Sequence, residues 1–88
     1  MIKITRLSDD IYEVKVKKIS TTQHKVHLSN KVYKKLTGLK ITEIELIKSS
    51  FEFLLERESN QSILREFNLE IIESYFPEYP SLIKNYFD

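Results

Sequence analysis

The stretch Lys25-Val26-His27-Leu28-Ser29-Asn30-Lys31-Val32-Tyr33-Lys34-Lys35-Leu36 changes its hydrophobic period midway. Up to Leu28 the apolar residues alternate, which sets them on one face of a strand; after Ser29 they fall at Val32, Tyr33 and Leu36, the spacing of a helix face. Ser29 followed by Asn30 offers a polar cap at the junction, and Gly38, the only glycine, is placed to end the helix. Residue 29 therefore divides strands from helices.

Working back from it, Ile2 and Ile4, then Tyr12, Val14 and Val16, then Val26 and Leu28 recur at a period of two. Ser8-Asp9-Asp10 and Ser20-Thr21-Thr22 suit the intervening turns, because short polar side chains hydrogen-bond their own backbone there. The pattern predicts a three-stranded antiparallel meander over residues 2–28. With the apolar set turned inward, the other face shows Lys3, Glu13, Lys15, Lys17, Lys25 and His27, and is mainly basic.

Working forward, Thr42-Glu43-Ile44-Glu45 has capping-box spacing, in which the threonine hydroxyl accepts from the third helical amide and the glutamate reaches back. Ile44, Ile47, Phe51, Leu54 and Leu55, widened by Leu46 and Phe53, predict a helix to about Arg57 at the centre of the core. Asn60 and Asn68 read as caps of two short helices, the first carrying Ile63, Leu64 and Phe67, the second Leu69, Ile71, Ile72 and Tyr75. Pro77 interrupts the second, and Pro80 suits the first turn of a last helix carrying Leu82, Ile83, Tyr86 and Phe87. The expected fold is α+β, one domain over 1–88, a three-stranded antiparallel meander followed by four or five short helices packed on one face.

Length and composition fit that picture. Surface scaling for 88 residues gives about 5,400 Å² folded against about 15,000 Å² unfolded, enough for one modest core. The chain has no cysteine, so disulfides, thiolate metal sites and thiol nucleophiles are excluded. Met1 to Arg6 lacks the apolar stretch of a signal peptide, and no apolar run approaches the roughly 20 residues that cross a bilayer. A soluble cytoplasmic protein, with no membrane partner, is the expectation.

The formal charge of +1 hides an asymmetry: residues 1–40 carry ten Lys or Arg against three acids, and residues 41–88 four against ten. A lysine-rich face displaces condensed counterions from a polyanion. The candidate nucleic-acid-binding residues are Lys3, Lys15, Lys17, Gln23, Lys25 and His27. Against them stands the scarcity of arginine, the preferred reader of guanine and phosphate, with only Arg6 in that half.

Catalytic signals are sparse. His24 and His27, three apart on a strand, point to opposite faces, which argues against a shared metal. Glu45, Glu52, Glu56, Glu66, Glu70 and Glu73 fall on the polar faces of the expected helices, and there is no phosphate-cradling glycine loop or nucleophile elbow. No catalytic constellation, metal site or cofactor is expected. The segment Tyr75-Phe76-Pro77-Glu78-Tyr79 offers a candidate protein interface through Tyr75, Phe76 and Tyr79, since aromatics dominate interface hot spots. Tyr79, between Glu78 and Pro80, is expected to be exposed; the simpler reading of Tyr75 and Phe76 is that they close the core.

Two resemblances follow. Residues 23–57, through Lys25 to Leu36 and the helix from Thr42 to Arg57, resemble a ribbon-helix-helix DNA-binding module. The resemblance implies an intertwined dimer, with Gln23, Lys25 and His27 facing bases and the amides near Thr42 holding a phosphate. The run Ser50-Phe51-Glu52-Phe53-Leu54-Leu55-Glu56-Arg57-Glu58, with Ser62-Ile63-Leu64 and Tyr75-Phe76-Pro77-Glu78-Tyr79, is similar to a group of small uncharacterised bacterial proteins. It implies no activity. The functional expectation is a small non-catalytic interaction or accessory protein, self-associating through an edge strand or the aromatic C-terminal segment. The alternative is a DNA-binding regulator using the basic half.

Overall fold

The computed structural model describes residues 1–87. Its first three strands, β1 (Ile2–Arg6), β2 (Ile11–Lys17) and β3 (Thr21–His27), pair antiparallel in sequence order. Alternation does what the pattern requires. Tyr12, Val14, Val16 and Val26 are buried on the inner face, while Lys3, Lys15, Lys17 and Lys25 stand exposed on the outer one. The second turn is shorter than the sequence suggests, because Thr21 and Thr22 already belong to β3 and only Lys18, Ile19 and Ser20 form the loop.

Helix α1 (Asn30–Thr37) starts where the period changes. Ser29 Oγ accepts from the Val32 amide at 3.2 Å, and Gly38, at φ 59°, closes the helix in the left-handed conformation that costs glycine nothing. Helix α2 (Glu43–Leu55) has both arms of the capping box: Glu45 N–H donates to Thr42 Oγ1 (3.1 Å) and Thr42 N–H to Glu45 Oε1 (2.9 Å). Those bonds to Thr42 hold the Glu45 carboxyl below its usual pKa. Leu46, Ile47, Phe51, Phe53 and Leu54 are buried, whereas Ile44, expected in the core stripe, is exposed on the first turn.

The helix expected between Asn60 and Phe67 does not form. A single 3₁₀ turn (Asn60–Ser62) is followed by extended chain, and Glu66–Asn68 becomes β4, parallel to β3 with Phe67 opposite Val26. The sheet is therefore mixed, in the order β1-β2-β3-β4, rather than a purely antiparallel meander. The reason lies in Asn60, which caps nothing. Its side-chain amide is buried against the β2–β3 hairpin, and drawing Asn60 there leaves the following chain to run alongside β3.

Beyond β4, a 3₁₀ turn (Leu69–Ile71) leads into α3 (Ile72–Tyr75), which stops before Pro77. Helix α4 (Tyr79–Leu82), with Pro80 in its first turn, runs into a last 3₁₀ turn (Ile83–Tyr86). The described residues thus hold four α-helices and three 3₁₀ turns. Phe53 centres the helical side of the core, its ring 5.3 Å from Tyr79, 5.9 Å from Phe76 and 6.3 Å from Tyr86. The accessible surface is 5393 Å², close to the value scaling gives for a packed chain of this size. Among the described residues no helix is long and apolar enough to cross a membrane.

Candidate interaction surfaces

The outer face of the sheet gathers the basic residues as the sequence reading expects, but not as one uninterrupted patch. One row runs Lys3, Lys15, Gln23, and Lys17 follows opposite Thr21. The next row runs Thr5, Glu13, Lys25, Glu66, so Lys25 stands between two carboxylates. His27 Nε2 donates to Glu66 Oε2 at 2.8 Å, and that bond holds the Glu66 carboxyl below its usual pKa. The pair lies on the solvent side of the sheet, with side-chain exposures of 35% and 58%. Nothing there sets a substrate apart from water for acid–base work. The strand carrying Gln23, Lys25 and His27 pairs with β2 along its whole length, and β4 covers its other side at Lys25, Val26 and His27 but does not reach Gln23.

His24 points inward and is buried. Its Nδ1–H donates to the Leu64 carbonyl at 2.7 Å, because a carbonyl only accepts; Nε2 then accepts the Thr22 hydroxyl at 2.8 Å. Thr22 Oγ1 in turn accepts from Asn60 Nδ2 at 3.1 Å, and the same amide donates to the Ser20 carbonyl at 3.0 Å. A neutral imidazole satisfies every member of this chain. Burial pushes the His24 pKa down, and the charge of Arg65 adds to that.

At the opposite end of β2, the Arg6 guanidinium lies over the Tyr12 ring, 5.5 Å from its centroid, and donates to the Ser8 and Asp9 carbonyls. Tyr12 Oη is buried with no hydrogen-bond partner. A hollow of about 220 Å³ lined by Arg6, Asp9, Ser29, Asn30, Tyr33 and Glu43 opens nearby, with both charge signs on its walls. Among the described residues no group of His, Asp and Glu is placed to hold a metal ion.

The apolar surface lies elsewhere. A groove of about 260 Å³ opens between the end of α2, the 62–64 segment and α3, with Leu54, Ile63, Phe67 and Ile72 as its floor. Leu64 and Tyr75 stand at its rim with 44% and 63% of their surfaces exposed, and Phe76 is half-buried beside them. Glu58 also lines it. Tyr75 and Phe76 thus fall together, and Tyr75 does not close the core. Tyr79, expected to be exposed, is buried beneath α2 instead, where its hydroxyl donates to Ser50 Oγ at 2.7 Å while Ser50 donates to the Leu46 carbonyl. Burial pushes the Tyr79 phenol pKa well up.

Leu64 reads as a helix-face residue but lies in non-helical chain before β4, whereas Ile71, in the 3₁₀ turn leading into α3, is helical as the sequence reads it; what the sequence does not show is that the two meet at one groove. Comparison of the chain with family models, curated proteins and solved structures gives no match.

Proposed function

We propose that the protein is a small, non-catalytic, cytoplasmic interaction protein that acts by self-association through the apolar groove beside α3. The observation that carries this reading is the groove itself: two large side chains, Leu64 and Tyr75, exposed over an apolar floor. Scattered exposed apolar residues are ordinary, but apolar residues converging on one concavity mark a contact surface. The open edge of β1 is the weaker candidate, since it carries Lys3 and Arg6, and charge on an edge strand resists pairing with another chain. Light scattering over a concentration series tests the reading. Mass is expected to rise from monomer toward dimer in the wild type and to stay monomeric in Leu64→Asp.

A second reading, a DNA-binding regulator, is supported by the exposed run of Lys3, Lys15 and Lys17, which have no carboxylate opposite them in the strand register. Salt-dependent binding of duplex DNA distinguishes it.

A further inference from the structure

We infer that the β2–β3 hairpin tip of one copy seats in the apolar groove of a second copy, and reciprocally, across a two-fold axis. The inference rests on the groove being a self-association surface and names what fills it. Ile19, at the tip, has a relative exposure of 109%, so its side chain touches essentially nothing of its own fold. Lys17 and Lys18 precede it, making the tip an apolar knob with a basic collar. The groove has the complementary character. Its floor is apolar, and Glu58 lines it as a carboxylate for the basic collar. The neighbouring Arg57 is folded back over the Phe53 ring at 3.6 Å.

Knob and groove are neighbours within one copy. The Asn60 amide holds the Ser20 carbonyl at 3.0 Å, and Ser62, Ile63 and Leu64, directly after Asn60, line the groove. Neighbouring complementary patches exchange across a two-fold axis set beside them, and such an isologous contact closes at two copies instead of growing into a filament. The predicted dimer is weak, because each contact centres on one aliphatic side chain against the cost of association.

Two variants test the arrangement by sedimentation: Ile19→Asp, which spoils the knob, and Leu64→Asp, which spoils the groove. Both sites are exposed, and circular dichroism checks that both variants fold. Each alone is expected to weaken dimerisation by about tenfold or more. An equimolar mixture regains association, because the intact knob of Leu64→Asp meets the intact groove of Ile19→Asp. If Leu64→Asp is monomeric while Ile19→Asp dimerises normally, the groove stands and the knob is overturned. If both variants dissociate and mixing restores nothing, knob and groove do not meet, and the inference falls. A wild type that is monomeric at every concentration overturns the groove reading itself, and the inference with it.

Discussion

The side-chain amide of Asn60 donates to the main-chain carbonyl of Ser20, forty residues earlier, at 3.0 Å. The same nitrogen reaches Thr22 Oγ1, so one buried side chain ties the segment after α2 to the β2–β3 hairpin. Removing it takes one hydrogen bond each from the Thr22 hydroxyl, which keeps His24, and the Ser20 carbonyl, which keeps the Lys18 amide. Asn60→Ala is expected to cost about 1–3 kcal/mol in urea unfolding, from two hydrogen bonds at a net of about 0.5–1.5 kcal/mol each. A loss below about 0.5 kcal/mol would show that the tie does not hold this segment in place.

The His24 prediction concerns pH. Its folded pKa is lowered, chiefly by burial, from the ordinary imidazole value of about 6.5, so the unfolded chain takes up the proton first as pH falls. The contribution to stability is therefore complete above about pH 6.5 and is lost progressively as pH drops toward the folded pKa. The urea midpoint is expected to be lower at pH 5 than at pH 8, and His24→Gln to flatten that difference. Repeating the profile in a His27→Gln background removes the other imidazole from the comparison. Equal wild-type midpoints at the two pH values would contradict the neutral, buried assignment.

Tyr12 Oη is buried without a partner, so it contributes its desolvation cost and no compensating bond. Tyr12→Phe keeps the ring beneath Arg6 and is expected to leave stability unchanged or raise it by up to about 1 kcal/mol. A loss of similar size, measured by thermal unfolding, would show that an ordered water bonds the hydroxyl.

The outer sheet face predicts weak, non-specific DNA binding. With Lys25 between Glu13 and Glu66, only Lys3, Lys15 and Lys17 lie in register without a carboxylate opposite. Fluorescence anisotropy with random duplex DNA should give a salt slope no steeper than about −2.7, the release expected for three phosphate contacts. A markedly steeper slope, abolished by charge reversal at Lys15, Lys17 and Lys25, would favour the regulator reading.

Much of the fold is legible where a period is long enough to read. The alternation of Tyr12, Val14 and Val16 gives a strand, and the Thr42 to Glu45 capping box gives the start of α2 to the residue. Strand β4 is not legible, because three residues carry no measurable period and its pairing is set by a partner 41 positions away. Asn60 illustrates the same limit: a polar residue before an apolar run reads as a cap, and only the distant hairpin shows that its amide is used elsewhere. Tyr79 reads as exposed because Glu78 and Pro80 flank it, while burial of its ring goes with Ser50 offering the hydroxyl an acceptor. Tyr75 and Phe76 are legible as aromatics, but their groove also needs Leu64, from a segment that the sequence reads as a helix and that is not one.

The most direct test of the groove as the self-association surface is a dilution series of amide NMR spectra on the uniformly labelled protein. The account predicts concentration-dependent shifts at Leu64, Ile71 and Tyr75 and at the hairpin tip around Ile19, with Lys3 and Lys15 on the outer sheet face unmoved. Shifts confined to the β1 edge, or none at any concentration, would contradict it.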